Sequence, residues 1–181
     1  MTTQDLVVLL DESGRASGTA PRAEVHTTAT PLHLAFSCHV LDGSGRLLMT
    51  RRALAKRTWP GVWTNSYCGH PRPGESFEDA VRRYGRHELG LEVSAIRAVL
   101  PDFRYRAVDA SGIVENEVCP TYVAVTADEP SPHPDEVAEH VWADPADVWA
   151  TVARAPWTLS PWFVEQARQL GGDGTRSHEP R

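Results

Sequence analysis

The stretch TWPGVWTNSYCGHP, residues 58–71, places a thiol at Cys68 two positions before an imidazole at His70. In an extended segment, side chains two residues apart project from the same face. Two tryptophans and a tyrosine in the same run can wall a cavity around this pair. The stretch therefore predicts a reactive thiol beside a metal ligand. The alternative is a buried free cysteine next to a loop histidine, because free cysteine is among the most buried residue types.

A cluster of cations lies directly upstream, at Arg51, Arg52, Lys56 and Arg57. Such a cluster can be an ordinary solvated surface or a site that binds an anion. Because it adjoins the Cys68 stretch in an otherwise acidic chain, we favour the anion site.

The bulk composition limits the kind of protein. The chain has 181 residues, 41% of them hydrophobic and 23% charged, with a net charge of −6. This suits one soluble globular domain, which we place at residues 1–170, followed by a disordered glycine-rich tail at 171–181. The acidic balance argues against a nucleic-acid partner but not against an anionic small molecule. No apolar run approaches the roughly 20 residues of a membrane span.

The three cysteines, Cys38, Cys68 and Cys119, are few, odd in number and widely spaced. We therefore expect no disulfide framework and a reducing compartment. The N-terminal residues lack the positive start and apolar core of a signal peptide. We predict a cytoplasmic protein. The sequence does not fix the oligomeric state, and a monomer fits.

Apolar periodicity and turn residues predict a mixture of strands and helices. The most sharply defined element is a helix at 77–89, because Ser76 is a typical N-cap and Gly90 a typical helix end. Its inward face carries Glu88, and a buried carboxylate needs a cation or a metal as partner. The other predicted elements are an N-terminal hairpin at 6–10 and 15–18, a loop or half-turn at 21–26, strands at 33–41, 46–52, 93–96, 103–107, 113–118 and 139–143, and helices at 145–155 and 161–170.

Glu115 and Glu117 share one face of the predicted strand at 113–118. Two carboxylates on one side of a strand repel each other unless a cation lies between them. A solvent-facing strand edge is the alternative, but the apolar run that follows favours an interior strand. With His26, His33 and His70, the two carboxylates would form a mixed nitrogen and oxygen set for Zn²⁺, Mn²⁺ or Mg²⁺. The intervals between the histidines do not by themselves establish such a site.

Between about residues 6 and 166 the sequence resembles the type 1 isopentenyl-diphosphate isomerases of the Nudix superfamily. Several long segments match in the right order, so the resemblance is specific. It implies an α+β (α/β) Nudix fold, with a mixed β-sheet sandwiched between helices and an N-terminal hairpin extension. The segments that carry it are LHLAF at 32–36, TRRAL at 50–54, WPGVWTNS at 59–66, CGHP at 68–71, YR at 105–106, GIVENEVCP at 112–120 and SPW at 160–162.

The Nudix sequence box itself is degraded. Gly69 and Glu75 fit its opening, but the later carboxylate-rich part reads RYGRHELG at 83–90 and keeps only Glu88. A hydrolase of this superfamily generally needs several carboxylates there to hold the metal that activates water. The loss argues against hydrolysis and suits the isomerase branch.

The resemblance implies isomerisation of isopentenyl diphosphate to dimethylallyl diphosphate, by protonation and deprotonation through a carbocation. Cys68 and Glu117 would face each other across the double bond, and Tyr105 would assist near Glu117. Trp162 would lie against the carbon skeleton. Such a cation needs a water-poor pocket and an aromatic face.

The resemblance also implies which residues bind ions and diphosphate. One divalent ion, Mn²⁺, Zn²⁺ or Mg²⁺, would be bound by His26, His33, His70, Glu115 and Glu117. A Mg²⁺ bound with the diphosphate would be held by Glu88. The diphosphate itself would be clamped by Arg22, Arg52 and Lys56, with Arg83 or Arg86.

Two other functions remain open from the residues. One is Nudix hydrolysis of a nucleoside diphosphate derivative, which the missing helix carboxylates argue against. The other is a non-catalytic module that binds a metal or a diphosphate. The joint presence of Cys68, Tyr105, Glu115 and Glu117 argues against that.

Overall fold

The computed structural model describes residues 5–171, so the predicted tail after Gly171 lies outside the described residues. No helix in this range is long and apolar enough to cross a bilayer. The helices are α1 (Arg22–Val25), α2 (Phe77–Leu89), α3 (Pro145–Arg154) and α4 (Pro161–Leu170), with a 3₁₀ turn at Pro156–Thr158. The strands are β1 (Leu6–Leu10), β2 (Ala16–Pro21), β3 (His33–Leu34), β4 (Phe36–Leu41), β5 (Leu47–Arg52), β6 (Trp63–Thr64), β7 (Tyr67–Gly69), β8 (Ser94–Leu100), β9 (Arg104–Val108), β10 (Val114–Val118), β11 (Thr121–Val125) and β12 (Val137–Ala143).

The strands form two mixed sheets, which confirms the predicted α+β class and refines the prediction of one sheet. The first sheet has the order β2-β1-β3-β10-β9, and the predicted N-terminal hairpin forms its edge. The second has the order β12-β5-β4-β11-β8, with β6 and β7 pairing to β5 and β4. Each sheet contains one parallel pair, β3 with β10 and β4 with β11.

The predicted single strand at 33–41 is wrong in one respect. It divides at Ala35, so that β3 joins the first sheet and β4 the second. Ala35 donates its N–H to the Val118 carbonyl at the end of β10, where the chain also passes from one sheet to the other through β11. Apolar patterning predicts an extended conformation, but it does not say which neighbours a strand selects. This transfer places His33 in the first sheet and Ser37 in the second.

Helices cover both faces of the second sheet, as predicted for the sandwich. Along β5, Leu48 faces a cluster with α2, whereas Leu47 and Met49 face a cluster with α3 and α4. This follows from the two-residue alternation of strand side chains. Burying one such apolar side chain contributes about 2 kcal/mol to folding.

Helix α2 has the predicted bounds and caps. The Ser76 hydroxyl accepts the N–H of Asp79, and Gly90 ends the helix in the left-handed conformation at φ +65°. The short helix α1 was not predicted. It lies within the segment 21–26, which was predicted as a loop or half-turn. That turn of helix brings Arg22 and His26 to a cavity that is also lined by Glu115 and Glu117 of β10.

Candidate active site and metal centre

One cavity of about 230 Å³ collects most of the predicted site residues. Its walls come from α1, β7, α2, β9, β10, α4 and the segment from Arg52 to Thr58. His33 is fully buried and does not line the cavity, and Arg83 does not line the cavity either. The predicted residues that line the cavity are Arg22, His26, Arg52, Lys56, Cys68, His70, Glu88, Tyr105, Glu115, Glu117 and Trp162.

The three predicted histidines converge on Glu117. Their nearest carboxylate distances are 3.3 Å from His33 Nε2 and 3.2 Å from His70 Nε2 to Glu117 Oε1, and 2.8 Å from His26 Nε2 to Glu115 Oε2. One potential ligand atom from each histidine and from Glu117 lies within 4.8 Å of all the others. The fifth predicted ligand, Glu115, also accepts the Thr58 hydroxyl at 2.8 Å.

The strand register explains why residues so distant in sequence meet. In the first sheet Glu117 pairs with His33 of β3 on one side and with Tyr105 of β9 on the other. Glu115 projects from the same face of β10, two residues earlier, and both carboxylates are buried. The interior-strand prediction for this pair is therefore confirmed, and the solvent-facing alternative is wrong.

The pKa values of the histidines and carboxylates in this cluster depend on burial and on one another. Burial disfavours the charged imidazolium, yet Glu115 and Glu117 raise the pKa of His26 to about 9. Burial lowers the pKa of His70, despite the neighbouring Glu117. Burial also opposes ionisation of Glu117, but the three histidines hold its pKa well below the usual range.

The cluster fits a divalent cation. His33 Nδ1 lies 3.0 Å from the Pro31 carbonyl, and donation there fixes the ring with Nε2 facing the centre. Among the described residues, Nε2 of His26 and of His33 has no aligned hydrogen-bond partner, although each is buried and near a carboxylate. Buried polar atoms normally have partners. Imidazole nitrogens and carboxylate oxygens that converge in this way form the donor set of a divalent metal site.

Cys68 occupies the inner end of the cavity. Its sulfur lies 3.2 Å from the Ser37 hydroxyl and 3.3 Å from Asn65 Nδ2. Burial raises the pKa of Cys68 to about 12, so the sulfur carries a proton at neutral pH. The following residue, Gly69, sits against the Tyr84 ring, and a Cβ there would lie 2.5 Å from that ring. Only glycine allows α2 to pack this closely on the Cys68 strand.

Aromatic rings close the same end. Trp162 contacts the Tyr105 ring at 5.8 Å between centroids and the Trp59 ring, edge to face, at 5.3 Å. Its indole N–H donates to Asn65 Oδ1 at 3.1 Å, which fixes the ring orientation. Trp59 holds the left-handed conformation, with φ +43°, which costs a non-glycine residue about 1–3 kcal/mol. Trp59 of the opening stretch thus supports the cavity wall through its contact with Trp162.

The basic residues divide between the cavity and the surface. Arg52 and Lys56 line the cavity, and the Arg52 guanidinium lies 5.4 Å from the centre of the Trp162 ring. Arg51 points the other way and pairs with Glu139, because successive side chains of β5 face opposite sides. Arg57 also lines the cavity, so the cluster divides between the cavity and the surface.

The structure does not bring either of the other two predicted arginines into the cavity. Arg83 makes two hydrogen bonds to Glu75, at 2.7 and 2.6 Å, and stacks on Tyr84. Arg86 makes two hydrogen bonds to Glu92 on the surface. Glu75, the carboxylate that fits the opening of the degraded box, therefore acts here as the partner of Arg83.

Glu88 is buried in the cavity wall, as its place on the inward face of α2 predicted. It does not belong to the histidine cluster. Burial raises its pKa, although the positive charges of Lys56, Arg52 and Arg22 act in the opposite direction. Its cationic partners are thus the predicted diphosphate clamp.

Sequence reasoning missed several residues that organise this site. Asn65 bonds Trp162, Cys68 and two backbone carbonyls, and its only sequence signal was its position in the opening stretch. Glu136 pairs with Lys56, and Asp5 pairs with Arg22. Gln166 bonds Ser37, and its spacing of four residues from Trp162 was the one available signal.

Comparison with known proteins adds a family to this geometry. A family model described as the NUDIX domain matches residues 31–163. An isopentenyl-diphosphate Delta-isomerase of Kocuria rhizophila is 60% identical over 168 residues, which cover 93% of each chain. Isomerases of the same name from Agromyces mediolanus and Mycolicibacterium vanbaalenii are 59% and 54% identical, over 93% and 95% of this chain and 82% and 94% of theirs.

Solved structures agree on the fold. DR0079 from Deinococcus radiodurans superposes with a TM-score of 0.69 at 20% identity, covering 91% of this chain and 98% of that one. A MutT protein from Methanosarcina mazei superposes with a TM-score of 0.61 at 16% identity, covering 81% and 97%. At these identities the likeness concerns the fold alone.

Proposed function

Because the chain belongs to the Nudix family and, within it, to the isopentenyl-diphosphate Delta-isomerases, it converts isopentenyl diphosphate to dimethylallyl diphosphate, and we propose that the reaction takes place between Cys68 and Glu117. One observation carries this assignment. A thiol, a carboxylate and an aromatic wall all line a single cavity with cations beside it.

The reaction needs one proton donor and one proton acceptor. A proton added to the terminal methylene carbon uses the electron pair of the double bond and leaves a tertiary cation on the neighbouring carbon. Loss of a proton from the carbon on the diphosphate side forms the new double bond, so no atom is gained or lost overall. Cys68 and Glu117, which both line the cavity, supply one of each.

The aromatic wall suits the cationic intermediate. Trp162 presents an indole ring that Asn65, Trp59 and Tyr105 hold in place, and a π face stabilises a nearby cation by about 2 kcal/mol when water is excluded. Tyr105 pairs across the sheet with Glu117, next to the proton-transfer site. Burial raises the pKa of Tyr105 well above its usual value, so its hydroxyl stays protonated and can donate a hydrogen bond there.

The diphosphate takes no part in the bond changes and serves as an anchor. Arg22, Arg52 and Lys56 line the cavity and provide the complementary charge. Such anchoring orients the substrate, because it fixes the double bond relative to the proton donor and acceptor. Arg83 and Arg86 are left out of this proposal, since carboxylates outside the cavity already bind them.

The proposal includes two divalent ions. His26, His33, His70, Glu115 and Glu117 would hold one, Mn²⁺, Zn²⁺ or Mg²⁺, and Glu88 would hold a Mg²⁺ that arrives with the diphosphate. An ion at the histidine cluster supplies positive charge that fixes the orientation of Glu117 and shifts its proton affinity. Support comes from the buried imidazole nitrogens without aligned partners and from the place of Glu88 in the cavity wall.

A cytoplasmic location is part of the same proposal. The three cysteines are free, which suits a reducing compartment. The binding partner in this proposal is the small-molecule diphosphate substrate.

The test follows the allylic product, which is acid-labile, after incubation of the protein with isopentenyl diphosphate and Mg²⁺. We expect turnover by the wild type without release of phosphate or pyrophosphate. Cys68→Ala and Glu117→Gln should each lose at least about 10³-fold in kcat while both variants remain folded. Phosphate release without allylic product would favour the Nudix hydrolase instead. A hydrolase needs several helix carboxylates, and Glu88 is the α2 carboxylate that lines the cavity. A folded Cys68→Ala or Glu117→Gln variant with near-normal turnover would contradict the pairing.

A further inference from the structure

Helix α4 carries a buried side-chain amide, Gln166, that has no role in the proposed reaction as described above. Gln166 is fully inaccessible to solvent on a face otherwise formed by Trp162, Phe163 and Ala167. A buried amide costs free energy unless its hydrogen bonds are made. An apolar residue would be the simpler choice at this position of a core helix, so the partners of Gln166 indicate its use.

Those partners form a chain that leads to Cys68. Gln166 Oε1 lies 3.2 Å from His39 Nε2, and Gln166 Nε2 donates to the Ser37 hydroxyl at 2.8 Å. The Ser37 hydroxyl in turn lies 3.2 Å from the Cys68 sulfur. His39, Gln166 and Ser37 are all buried, so water does not replace any of these contacts.

The chain has a direction. Burial lowers the pKa of His39 to about 4, so the ring is neutral and donates one N–H, here to Gln166 Oε1. Because Gln166 Nε2 donates to the Ser37 oxygen, the single Ser37 hydroxyl hydrogen is left for a sulfur. The Cys68 sulfur at 3.2 Å is nearer than the Cys119 sulfur at 3.5 Å. Every donor in the chain therefore points towards Cys68.

The second neighbour of the sulfur is a weaker donor. Asn65 Nδ2 has two hydrogens, and it already donates to the Tyr67 carbonyl at 2.7 Å and to the Cys38 carbonyl at 3.1 Å. Its contact with the Cys68 sulfur at 3.3 Å is a third interaction for two hydrogens. Ser37 is therefore the main hydrogen-bond donor to this sulfur.

We propose that His39, Gln166 and Ser37 form a directed donor chain that fixes the position of the Cys68 sulfur, with Ser37 and Gln166 as positioning residues for the isomerisation. The inference rests on the proposed role of Cys68 in proton exchange with carbon. Ser37 pairs with Cys68 between β4 and β7, so a hydroxyl at this register holds the sulfur against sideways movement. The chain acts on the reacting sulfur, and within residues 5–171 its side chains make no hydrogen bond to the cations that line the cavity.

The chain offers a matched control one strand away. Thr121 pairs with Ser37 between β4 and β11, and its hydroxyl is buried without a hydrogen-bond partner among the described residues. Thr121→Val therefore removes a core hydroxyl that is not in the chain. Ser37→Ala removes the equivalent hydroxyl that is.

The experiment measures kcat and KM for isopentenyl diphosphate with Ser37→Ala, Gln166→Leu, the double variant and Thr121→Val. We expect Ser37→Ala to lower kcat about 10- to 100-fold with KM within about threefold of wild type, because a misplaced group loses rate without losing substrate binding. Gln166→Leu should lower kcat by about 10-fold. The double variant should match Ser37→Ala alone, since Gln166 acts through Ser37. Thr121→Val should stay within about twofold.

Three results would overturn the donor chain: a folded Ser37→Ala variant with normal kcat, multiplicative losses in the double variant, or an equal loss in Thr121→Val. If Gln166→Leu does not fold, Gln166→Met is measured in its place, and Ser37→Ala still decides. Cys68→Ala in the same assay separates the two proposals. An active Cys68→Ala overturns the role of Cys68, whereas an inactive one beside a fully active Ser37→Ala overturns the chain alone.

Discussion

The two ends of the cavity hold their side chains by different means. At the outer end, Arg22 pairs with Asp5 and Lys56 with Glu136, through ion pairs whose side chains are partly exposed. At the inner end, Cys68 is held by neutral hydrogen bonds from buried groups. A diphosphate can replace a carboxylate as the partner of a cation, but no ligand replaces the inner network. Binding and bond rearrangement are therefore separable, and variants should divide between KM and kcat.

Removal of the divalent ion should have the largest effect on turnover, because it disturbs Glu117, which is one of the two proposed proton-transfer groups. We expect chelator-treated protein to lose turnover to below detection and to regain it with added Mn²⁺, Mg²⁺ or Zn²⁺. Its melting temperature should also fall, since an ion at 100 times its dissociation constant stabilises by about 2.7 kcal/mol. Elemental analysis, calorimetry and the product assay check this. The His33→Gln variant is the control and should show a smaller shift with chelator. Full activity in demonstrably metal-free protein would contradict the metal assignment.

Loss of the aromatic face should have the next largest effect and should fall on kcat. Trp162→Leu keeps apolar bulk but removes the π face, so about 2 kcal/mol of cation stabilisation, or roughly 30-fold in kcat, should be lost. KM should change by less than about threefold. Steady-state kinetics measure both. Trp157→Ala serves as the control, because that ring is 79% exposed and lies outside this cavity. Equal effects of the two variants would remove the role assigned to Trp162.

A cation at the outer end should show the opposite pattern. Arg22→Met should raise KM by about 10-fold or more with kcat within about threefold, because a charge-assisted hydrogen bond contributes about 1.5–3 kcal/mol. Arg51→Met is the matched control, since Arg51 belongs to the same basic cluster but pairs with Glu139 outside the cavity. Arg52 contacts Trp162 as well, so Arg52→Met should change both constants. A fall in kcat without a rise in KM for Arg22→Met would contradict the division.

The smallest effect at neutral pH concerns the stability of the inner end. The pKa of His39 falls from 6.5 in the unfolded chain to about 4 in the folded one. Its neutral form is favoured by folding, so this stability is complete above pH 6.5 and is lost as the pH falls towards 4. The loss reaches about 3 kcal/mol. Denaturant unfolding at several pH values should show that wild type loses more stability than His39→Leu over this interval. Parallel curves would contradict it, and the histidines of the metal cluster cancel in the comparison.

Local signals predicted the three longer helices, α2, α3 and α4, well. Ser76 and Gly90 bound α2 because capping depends on residues within one turn of the helix end. Asp144 followed by Pro145 marked the start of α3 for the same reason. The division of the strand at 33–41 could not be predicted, because a chain passes between sheets according to partners that lie far away in sequence.

The site was predictable to a different degree. The shared face of Glu115 and Glu117 follows from strand alternation, but the approach of His26, His33 and His70 to them came from the family resemblance. Asn65 and Gln166 escaped prediction because a buried amide looks like any surface amide in the sequence. Ion pairs also escaped, so Arg83 was predicted as a diphosphate ligand although Glu75 binds it.

Gly69 limits how this site can vary. A single methyl group at this position would collide with Tyr84 at 2.5 Å, so any other residue must push α2 away from the strand. Cys68 and His70 flank the glycine in the sequence at the end of β7, and Glu88 follows Tyr84 by one helical turn. Displacement of α2 would therefore move the helix carboxylate away from the thiol and the metal ligand. Position 69 is in effect closed to substitution, because a larger residue there would change the distances from Glu88 to Cys68 and to His70.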